Sequence, residues 1–310
     1  VLTIGKFDVI HNGHKNLLNK IIDIAKTDFC VPIVVLLHPN PQKLFHYSDI
    51  NSKYLYSLKN RCRIINQIFT DTMNNNSNNQ PIVIIQKFNK SFSLISKDNF
   101  VKQYLKNTLF VKNFVSGINF NFGYKALGNI DDIKKADINC ISIDLGELLN
   151  VGCDEELLKS SANLSSTFIK NLMLNGKIKQ ANNLCYRNIF YEGCVKKGMS
   201  VAGSKLNFKT ANIKLNQSKY IIPKFGVYKC NILINEKIFS GICNIGNRPT
   251  VNDIQNNILL EAHIFNFNED IYNQRICIEL LDFVREERKF NNIEELKKQI
   301  KLDIDFLIKN

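Results

Sequence analysis

The chain has 310 residues, of which 45% are hydrophobic and 22% are charged. This length predicts two domains, and the composition is that of an ordinary globular protein. The sequence contains no run of about 18 apolar residues, so we expect no transmembrane helix and no membrane partner. Because the chain starts at Val1 and not at Met, we expect that a short leading segment precedes it.

The formal net charge of the chain is +13. A basic chain can bind nucleic acid, but here the lysines are scattered and do not form a cluster. We therefore expect no nucleic-acid partner, although a nucleic-acid-binding protein remains the non-enzymatic alternative.

The nine cysteines include no CxxC pair, which disfavours a zinc site and a disulfide framework. Free thiols are typical of the cytoplasm. The sequence does not predict an oligomeric state.

Short apolar runs alternate with helical periodicity in the first half of the chain. Apolar residues at helical spacing predict helices around Leu17–Ala25 and Leu58–Phe69. Strand and helix alternation with continuously apolar strands is typical of a parallel sheet covered on both faces. The predicted strands are Val1–Ile4, Val31–Leu37, Pro81–Gln86, Leu109–Val115 and Ile141–Leu145.

The second half changes to a period of two. Alternating runs at Tyr228–Ile234 and Ile238–Ile245 flank Asn235-Glu236 and predict a hairpin, and Ile258–Ile264 and Ile276–Leu280 add further strands. Such strands favour an antiparallel sandwich or small barrel. A closing amphipathic helix is predicted from Ile293, Leu296, Ile300, Ile304 and Leu307.

These patterns predict an α/β protein of two domains. Residues 1–185 are expected to form a doubly wound parallel-sheet domain. Residues 186–310 are expected to form a small antiparallel β-barrel with a terminal helix. The boundary follows a stretch with helical character at Ser165–Asn183.

Two histidines stand between the first predicted strand and the first predicted helix. The strand ends in Gly5-Lys6-Phe7-Asp8, and the helix opens with His11-Asn12-Gly13-His14. Ligands of doubly wound sheets bind beyond the carboxyl ends of the strands, and a helix N-terminus offers free N–H groups to phosphates. We therefore predict a nucleotide site with His11 and His14 as its catalytic donors. The same site is expected to include Gly5, Phe7, Asp8 and Gly13.

A later helix begins with hydroxyl side chains and a lysine. Ser165, Ser166 and Thr167 stand in N-cap positions, and Lys170 follows. They either cap the helix or form a second phosphate clamp. Both interpretations stay open, and all four are candidate nucleotide-binding residues.

The second half carries another polar constellation. Gly193, Gly198 and Gly203 suit a backbone that wraps phosphates. Thr210 and Asn212 share one strand face, where two neutral oxygens suit Mg²⁺, unless this is an ordinary polar face. Glu261 points away from the apolar residues beside it, either as a solvated side chain or as a general base for an attacking hydroxyl.

Five segments of the first half resemble the adenylylation half of the prokaryotic bifunctional riboflavin kinase and FMN adenylyltransferase family. The resemblance implies that AMP from ATP is joined to FMN and that pyrophosphate is released. It implies that the HxGH histidines and the SSTxIK element bind ATP, and it places Asn119, Phe122 and Gly123 on the flavin side. The segments are Leu2–Leu18, His38–Pro41, Phe88–Val101, Gly117–Gly123 and Leu164–Lys170.

The second half resembles the riboflavin kinase domain of the same family, in the same order along the chain. The resemblance implies that Thr210 and Asn212 bind Mg-nucleotide, that Glu261 takes the proton of the ribityl hydroxyl, and that Arg285 contacts the flavin. It also implies that riboflavin, FMN and ATP are the small-molecule partners and Mg²⁺ the cofactor. The segments are Phe225–Tyr228, Gly241–Thr250, Leu260–His263 and Phe283–Phe290.

The chain departs from the family pattern at a few positions. Lys6, Asn119 and Lys170 stand where the family usually has Asn, Asp and Arg, and Lys209 replaces the proline of the kinase motif. The connection from Gly198 to Thr210 is one residue longer than usual. Two alternatives therefore remain: a riboflavin kinase whose first domain has drifted, and another HxGH nucleotidylyltransferase.

Overall fold

The structure is a computed structural model, and it describes residues 1–45, 50–73, 80–144, 164–196, 210–248 and 257–288, together with 292, 294–295, 298–299 and 301–303. The chain divides into two compact units, Val1–Phe168 and Ile169–Asn310.

A five-stranded parallel sheet with the order β3-β2-β1-β4-β5 forms the centre of the first unit. This arrangement confirms the predicted α/β fold, in which successive strands are joined through helices. The strands are β1 Leu2–Gly5, β2 Ile33–His38, β3 Ile82–Lys87, β4 Asn113–Gly117 and β5 Asn139–Ile143.

Helices alternate with the strands along the chain of the first unit. The first helix buries the predicted apolar stripe from Leu17 to Ala25, which explains its formation next to the sheet. Short 3₁₀ turns occur at Ile50–Ser52 and Tyr124–Ala126. The helices are α1 Asn12–Thr27, α2 Pro41–Phe45, α3 Leu58–Thr72, α4 Lys90–Ser93, α5 Lys97–Asn99, a π-helix at Phe100–Thr108, and α6 Ile130–Lys134.

The fourth strand begins later than predicted. The sequence placed it at Leu109–Val115, whereas β4 occupies Asn113–Gly117. The π-helix runs to Thr108 because it buries an apolar face of its own, and Phe110 then turns the chain with a φ of 48°. An apolar run alone does not reveal where such a helix ends and a strand begins.

The stretch Ser165–Asn183 forms two helices where the sequence predicted continuous helical character. Helix α7 spans Ser166–Leu174 and α8 spans Ile178–Leu184. Gly176 separates them with a φ of 76°, and the N–H of Lys177 donates to the Leu172 carbonyl at 2.9 Å. This is a Schellman ending, in which glycine adopts the left-handed conformation most easily.

The second unit is a nearly closed antiparallel barrel with the strand order β6-β11-β8-β9-β10-β7. An antiparallel bridge between Lys196 and Asn212 joins the two edges. A Cβ atom at Gly193 would overlap the side chain of Ile213, so glycine is needed where these edges meet. The strands are β6 Phe190–Cys194, β7 Thr210–Leu215, β8 Gly226–Ile234, β9 Lys237–Arg248, β10 Asn257–Ile264 and β11 Arg275–Arg285.

Helical residues follow the barrel in the described part of the C-terminal segment, at 294–295, 298–299 and 301–303. The five apolar positions predicted for this helix lie outside the described residues. Within the described ranges, no helix combines the length and the apolar character needed to cross a bilayer.

Candidate active sites

The two predicted histidines lie together at the carboxyl edge of the parallel sheet. His11 is the N-cap of α1 but makes no side-chain capping bond, and it is only 2% exposed. Its ring centroid lies 3.8 Å from that of His14, and the His14 ring lies 5.1 Å from Phe7. The Nδ1 atom of His11 is buried and has no hydrogen-bond partner among the described residues. The pair is thus fixed in place beside a helix N-terminus.

Both imidazoles are held in the neutral form. Burial lowers the pKa of His11 well below its ordinary value, and the neighbouring His14 lowers it further. Burial also lowers the pKa of His14 to about 4, with the Lys6 charge adding to the shift and the Val9 backbone opposing it. Near neutral pH each ring can therefore offer one N–H donor but no full positive charge.

The residues between β1 and α1 hold this arrangement. Phe7 has a φ of 45°, and its ring lies 3.0 Å from where a Cβ atom of Gly5 would stand. Asp8 is buried, and its carboxylate accepts the Leu55 N–H at 2.9 Å. Gly13 is buried in the first turn of α1. A small residue at position 5 and a left-handed residue at position 7 are the features that bring the histidines to the strand end.

A cleft of about 280 Å³ opens beside His14. It lies at the ends of β1 and β4, where Gly5 and Gly117 line it, and Asn119 and Ser165 contribute polar groups. Ligands of open parallel sheets bind at this edge. The structure thus places Asn119 at the histidine cleft.

The four residues of the predicted phosphate clamp make different contacts. Ser165 Oγ accepts the Phe168 N–H at 3.2 Å, as a helix cap does, and the residue also lines the histidine cleft. The Thr167 hydroxyl donates to the Asn51 side chain. Ser166 begins α7, and Lys170 is buried with 1% exposure. Helix capping and a place in the cleft therefore coexist at Ser165.

A second cleft, of about 310 Å³, is lined by aromatic rings. The Phe122 centroid lies 4.8 Å from Phe100 and 5.8 Å from Phe120. Gly123 lines this cleft with a φ of 74°, and a Cβ atom there would stand 2.9 Å from the backbone of Lys97. Phe120 lines both clefts, so a planar apolar group and a phosphate-bearing group could be held side by side.

The predicted residues of the barrel share one strand face. In the β7–β10 pair, Thr210 lies opposite His263 and Asn212 opposite Glu261. Directly opposed residues in antiparallel strands point to the same side, with Cβ atoms about 5 Å apart. The interior face of the same strands is apolar, since Leu260 and Ala262 are fully buried. The carboxylate and the two neutral oxygens therefore stand together.

Asn212 has the properties of an Mg²⁺ ligand. It is 4% exposed, and its Oδ1 is buried without a hydrogen-bond partner among the described residues. Its Nδ2 donates to the Thr210 carbonyl at 3.4 Å, which turns the oxygen away from that carbonyl. The described residues contain no group of three His, Cys, Asp or Glu that could hold a metal. Neutral oxygens beside phosphates are a usual setting for Mg²⁺, so the residues fit this ion.

The remaining predicted residues of the barrel have different surroundings. Gly193 has a packing role against Ile213, and Gly198 and Gly203 lie outside the described residues. The guanidinium of Arg285 donates to both oxygens of the buried Asp303 carboxylate, with an Nη2–Oδ2 distance of 2.8 Å. Arg285 thus ties the barrel to the C-terminal helical segment.

Two features were missed by the sequence analysis. A cleft of about 150 Å³ at the end of the barrel is lined by Thr210, Asp270 and Tyr272. Arg61 is fully buried, and its guanidinium donates to the Lys6 carbonyl at 2.7 Å and contacts His38 Nδ1 at 2.9 Å. An arginine inside the apolar stripe of α3 was the available signal for the second feature.

The fold and these clefts define a class of protein. A parallel sheet with neutral histidines at its carboxyl edge suits nucleotidyl transfer, and a carboxylate beside metal-suited oxygens suits phosphoryl transfer. The chain is thus a two-unit transferase of phosphorus-containing groups.

Comparison with known proteins identifies the family. The FAD synthetase family model matches residues 1–162, and the riboflavin kinase model matches residues 185–309. A bifunctional riboflavin kinase/FMN adenylyltransferase of Buchnera aphidicola subsp. Schizaphis graminum is 33% identical, over 99% of this chain and 93% of the relative. The protein of that name from Bacillus subtilis is 30% identical, over 98% and 90%. This chain therefore belongs to the bifunctional riboflavin kinase/FMN adenylyltransferase family.

A solved structure shares the fold. It is described as a macrolide-efflux protein from Streptococcus pneumoniae, and it matches with a TM-score of 0.81 and 23% identity, covering 98% of this chain and 92% of its own. At this identity the likeness concerns the fold alone.

Proposed function

We propose that this chain makes FMN from riboflavin and ATP, and then makes FAD from FMN and a second ATP with release of pyrophosphate. The observation that carries this proposal is the match of two family models to one chain, each over a unit with its own cleft. The residue roles below are part of the proposal.

In the first unit, the histidine cleft would receive ATP and the aromatic cleft would receive the flavin ring. The FMN phosphate oxygen then attacks the α-phosphorus, and pyrophosphate leaves with the electrons of the broken P–O bond. His11 and His14 each donate an N–H to phosphate oxygens, where negative charge grows in the transition state. Their neutrality avoids the cost of burying two cations when the cleft is empty.

Asn119 and Ser165 would contact the phosphates between the two clefts, since both line the histidine cleft. Phe122 and Gly123 would hold the isoalloxazine ring, because an aromatic wall without a protruding Cβ atom accepts a flat ring. Lys170 and the Ser166–Thr167 pair would complete the ATP site.

In the second unit, Glu261 takes the proton of the ribityl 5′-hydroxyl while that oxygen attacks the γ-phosphorus of ATP. ADP leaves with the electrons of the bridging bond. Thr210 and Asn212 would hold Mg²⁺, which supplies charge neutralisation on the phosphates when bound. The Thr210–Asp270–Tyr272 cleft would take part of the nucleotide, and Arg285, braced by Asp303, would border the flavin.

We also retain the domain boundary at residue 185. The riboflavin kinase match begins there, which supports the choice. The compact units divide earlier, after Phe168, because α7 and α8 contact the barrel: the N–H of Lys224 donates to the Met173 carbonyl, and Asn182 donates to the Leu280 carbonyl. A cytoplasmic location is proposed on the free thiols of the described cysteines.

The test is incubation of the full chain with riboflavin, ATP and Mg²⁺, followed by separation of riboflavin, FMN and FAD. Formation of FMN followed by FAD is expected. Accumulation of FMN alone would contradict the second activity. In that case the variant carrying Lys6→Asn, Asn119→Asp and Lys170→Arg decides whether the first unit has drifted, because gained FAD synthesis would identify these three positions as the cause.

A further inference from the structure

A row of side chains crosses the barrel at the level of Glu261. The residue opposite Glu261 on β7 is Asn212, and the residue opposite it on β9 is Asn244. All three side chains point to one face, and neighbouring strands are about 4.8 Å apart. Glu261 therefore stands between two asparagines, one on either side.

The geometry of phosphoryl transfer indicates on which side of Glu261 each substrate lies. In phosphoryl transfer the attacking and leaving oxygens lie roughly in line on opposite sides of the phosphorus. The proposed metal ligands place the nucleotide on the β7 side of Glu261. The attacking hydroxyl must then approach Glu261 from the β9 side, where Asn244 lies.

The Asn244 side chain is held in one orientation. Its Nδ2 donates to Glu287 Oε1 at 2.8 Å, which fixes which way the amide faces. A Cβ atom at Gly246 would overlap the Glu287 carboxylate, so glycine two residues along β9 leaves the room for this contact. An amide fixed by a carboxylate and by a glycine gap is a pre-organised hydrogen-bonding group.

We propose that Asn244 binds a hydroxyl of the ribityl chain next to the reacting 5′-hydroxyl, and that Glu287 is its positioning residue. This inference rests on the proposed kinase function. The row continues in the same direction, because Val227 lies opposite Asn244 and Arg285 opposite Val227. A riboflavin molecule with its ribityl end at Glu261 would extend along this row toward Arg285. The ribityl chain would then lie near Glu261 and Asn244, and the flavin ring near Arg285.

The experiment measures steady-state kinetics of FMN formation by the full chain for Asn244→Ala and Glu287→Ala. Loss of one or two hydrogen bonds to the acceptor predicts a rise of about tenfold in the KM for riboflavin with Asn244→Ala, and a smaller rise with Glu287→Ala. The KM for ATP should stay within about twofold, because neither Asn244 nor Glu287 is proposed to contact ATP. Glu287→Gln retains an acceptor oxygen and should behave like the wild type.

Matched controls separate binding from folding. Glu286→Ala removes the adjacent carboxylate, which pairs with Lys224 at 2.7 Å, and should leave both KM values unchanged. A riboflavin analogue that lacks the 4′-hydroxyl provides a second measurement: it should bind more weakly to the wild type but lose nothing further with Asn244→Ala. If Asn244→Ala does not fold, Glu287→Ala and the analogue on wild type carry the test.

Two results would overturn the proposal: a riboflavin KM unchanged in both alanine variants, or a rise confined to the KM for ATP. Failure of the proposed function itself looks different. In that case the wild-type chain itself would form no FMN from riboflavin and ATP, whatever Asn244 does.

Discussion

The rings of His11 and His14 lie 3.8 Å apart at an angle of 33°, at the point where the first strand gives way to the first helix. Their proximity is set by one turn of helix, since a helix N-cap and the third residue after it stand on the same side. Burial lowers the pKa of each ring, so both imidazoles are neutral near neutral pH. The pair therefore presents neutral N–H donors to the cleft.

Replacement of one of these donors should slow adenylylation strongly. We expect His14→Ala to slow FAD formation from FMN by about a hundred- to a thousandfold, because one pre-organised donor to developing charge is removed. Riboflavin phosphorylation should persist, and it serves as the internal control for folding. Undiminished FAD formation by the variant would show that the adenylylation site lies elsewhere.

Acidification should destabilise the protein through His14. Its pKa is about 4 in the folded chain and 6.5 in the unfolded chain, so the unfolded state binds more protons between these values. The contribution to stability is complete above pH 6.5 and is lost as the pH falls toward 4. Thermal unfolding of wild type and His14→Gln between neutral and mildly acidic pH tests this, since the wild type should lose more stability. An equal loss of thermal stability in the two proteins as the pH falls would contradict this prediction.

Removal of the proposed base should affect only the kinase. Glu261→Gln should reduce FMN formation by about two to four orders of magnitude, which is the usual contribution of a general base. FAD formation from supplied FMN should continue. Glu236→Gln, in the β8–β9 turn, is the matched control and should retain both rates. Wild-type FMN formation by the Glu261 variant would exclude the base assignment.

The metal assignment can be tested through Mg²⁺ dependence. Asn212→Ala removes the buried Oδ1 and should raise the Mg²⁺ concentration needed for half-maximal kinase rate by about tenfold or more. Asn231→Ala, on β8 of the same sheet, should leave that concentration unchanged. A loss of thermal stability with an unaltered Mg²⁺ requirement would assign Asn212 a structural role.

The flavin side of the first unit depends on a glycine. Gly123→Ala forces an alanine into a φ of 74° and brings its Cβ atom to 2.9 Å from Lys97, so we expect a destabilisation of about 1–3 kcal/mol. The KM for FMN should rise, while the KM for riboflavin in the kinase step should not change. Equal rises in both constants would indicate a general folding defect.

The sequence predicted the architecture better than the contacts. Apolar runs located all five parallel strands and the hairpin of β8 and β9, because burial imposes a period on each element. The limits of β4 and the break at Gly176 depended on a π-helix and a Schellman ending, which local apolar patterns do not encode. Element type could therefore be inferred, but several boundaries could not.

The candidate sites follow the same division. The HxGH spacing and the Thr210–Asn212 alternation placed side chains correctly relative to their own elements, because those relations are local. The position of Asn119 in the histidine cleft and the pairing of Arg285 with Asp303 are long-range relations. They depend on which strand ends meet and on how the chain returns to the barrel, and a single sequence does not show either.

The bridge between Lys196 and Asn212 has a consequence for variation in this family. It fastens the last described residue before position 197 to a proposed metal ligand, so that the two ends of the connection from 197 to 209 are held together. When both ends of a connection are fixed, doubling its length changes the closure free energy by only about 0.6 kcal/mol. The connection can therefore gain or lose residues during evolution while Thr210 and Asn212 stay where they are.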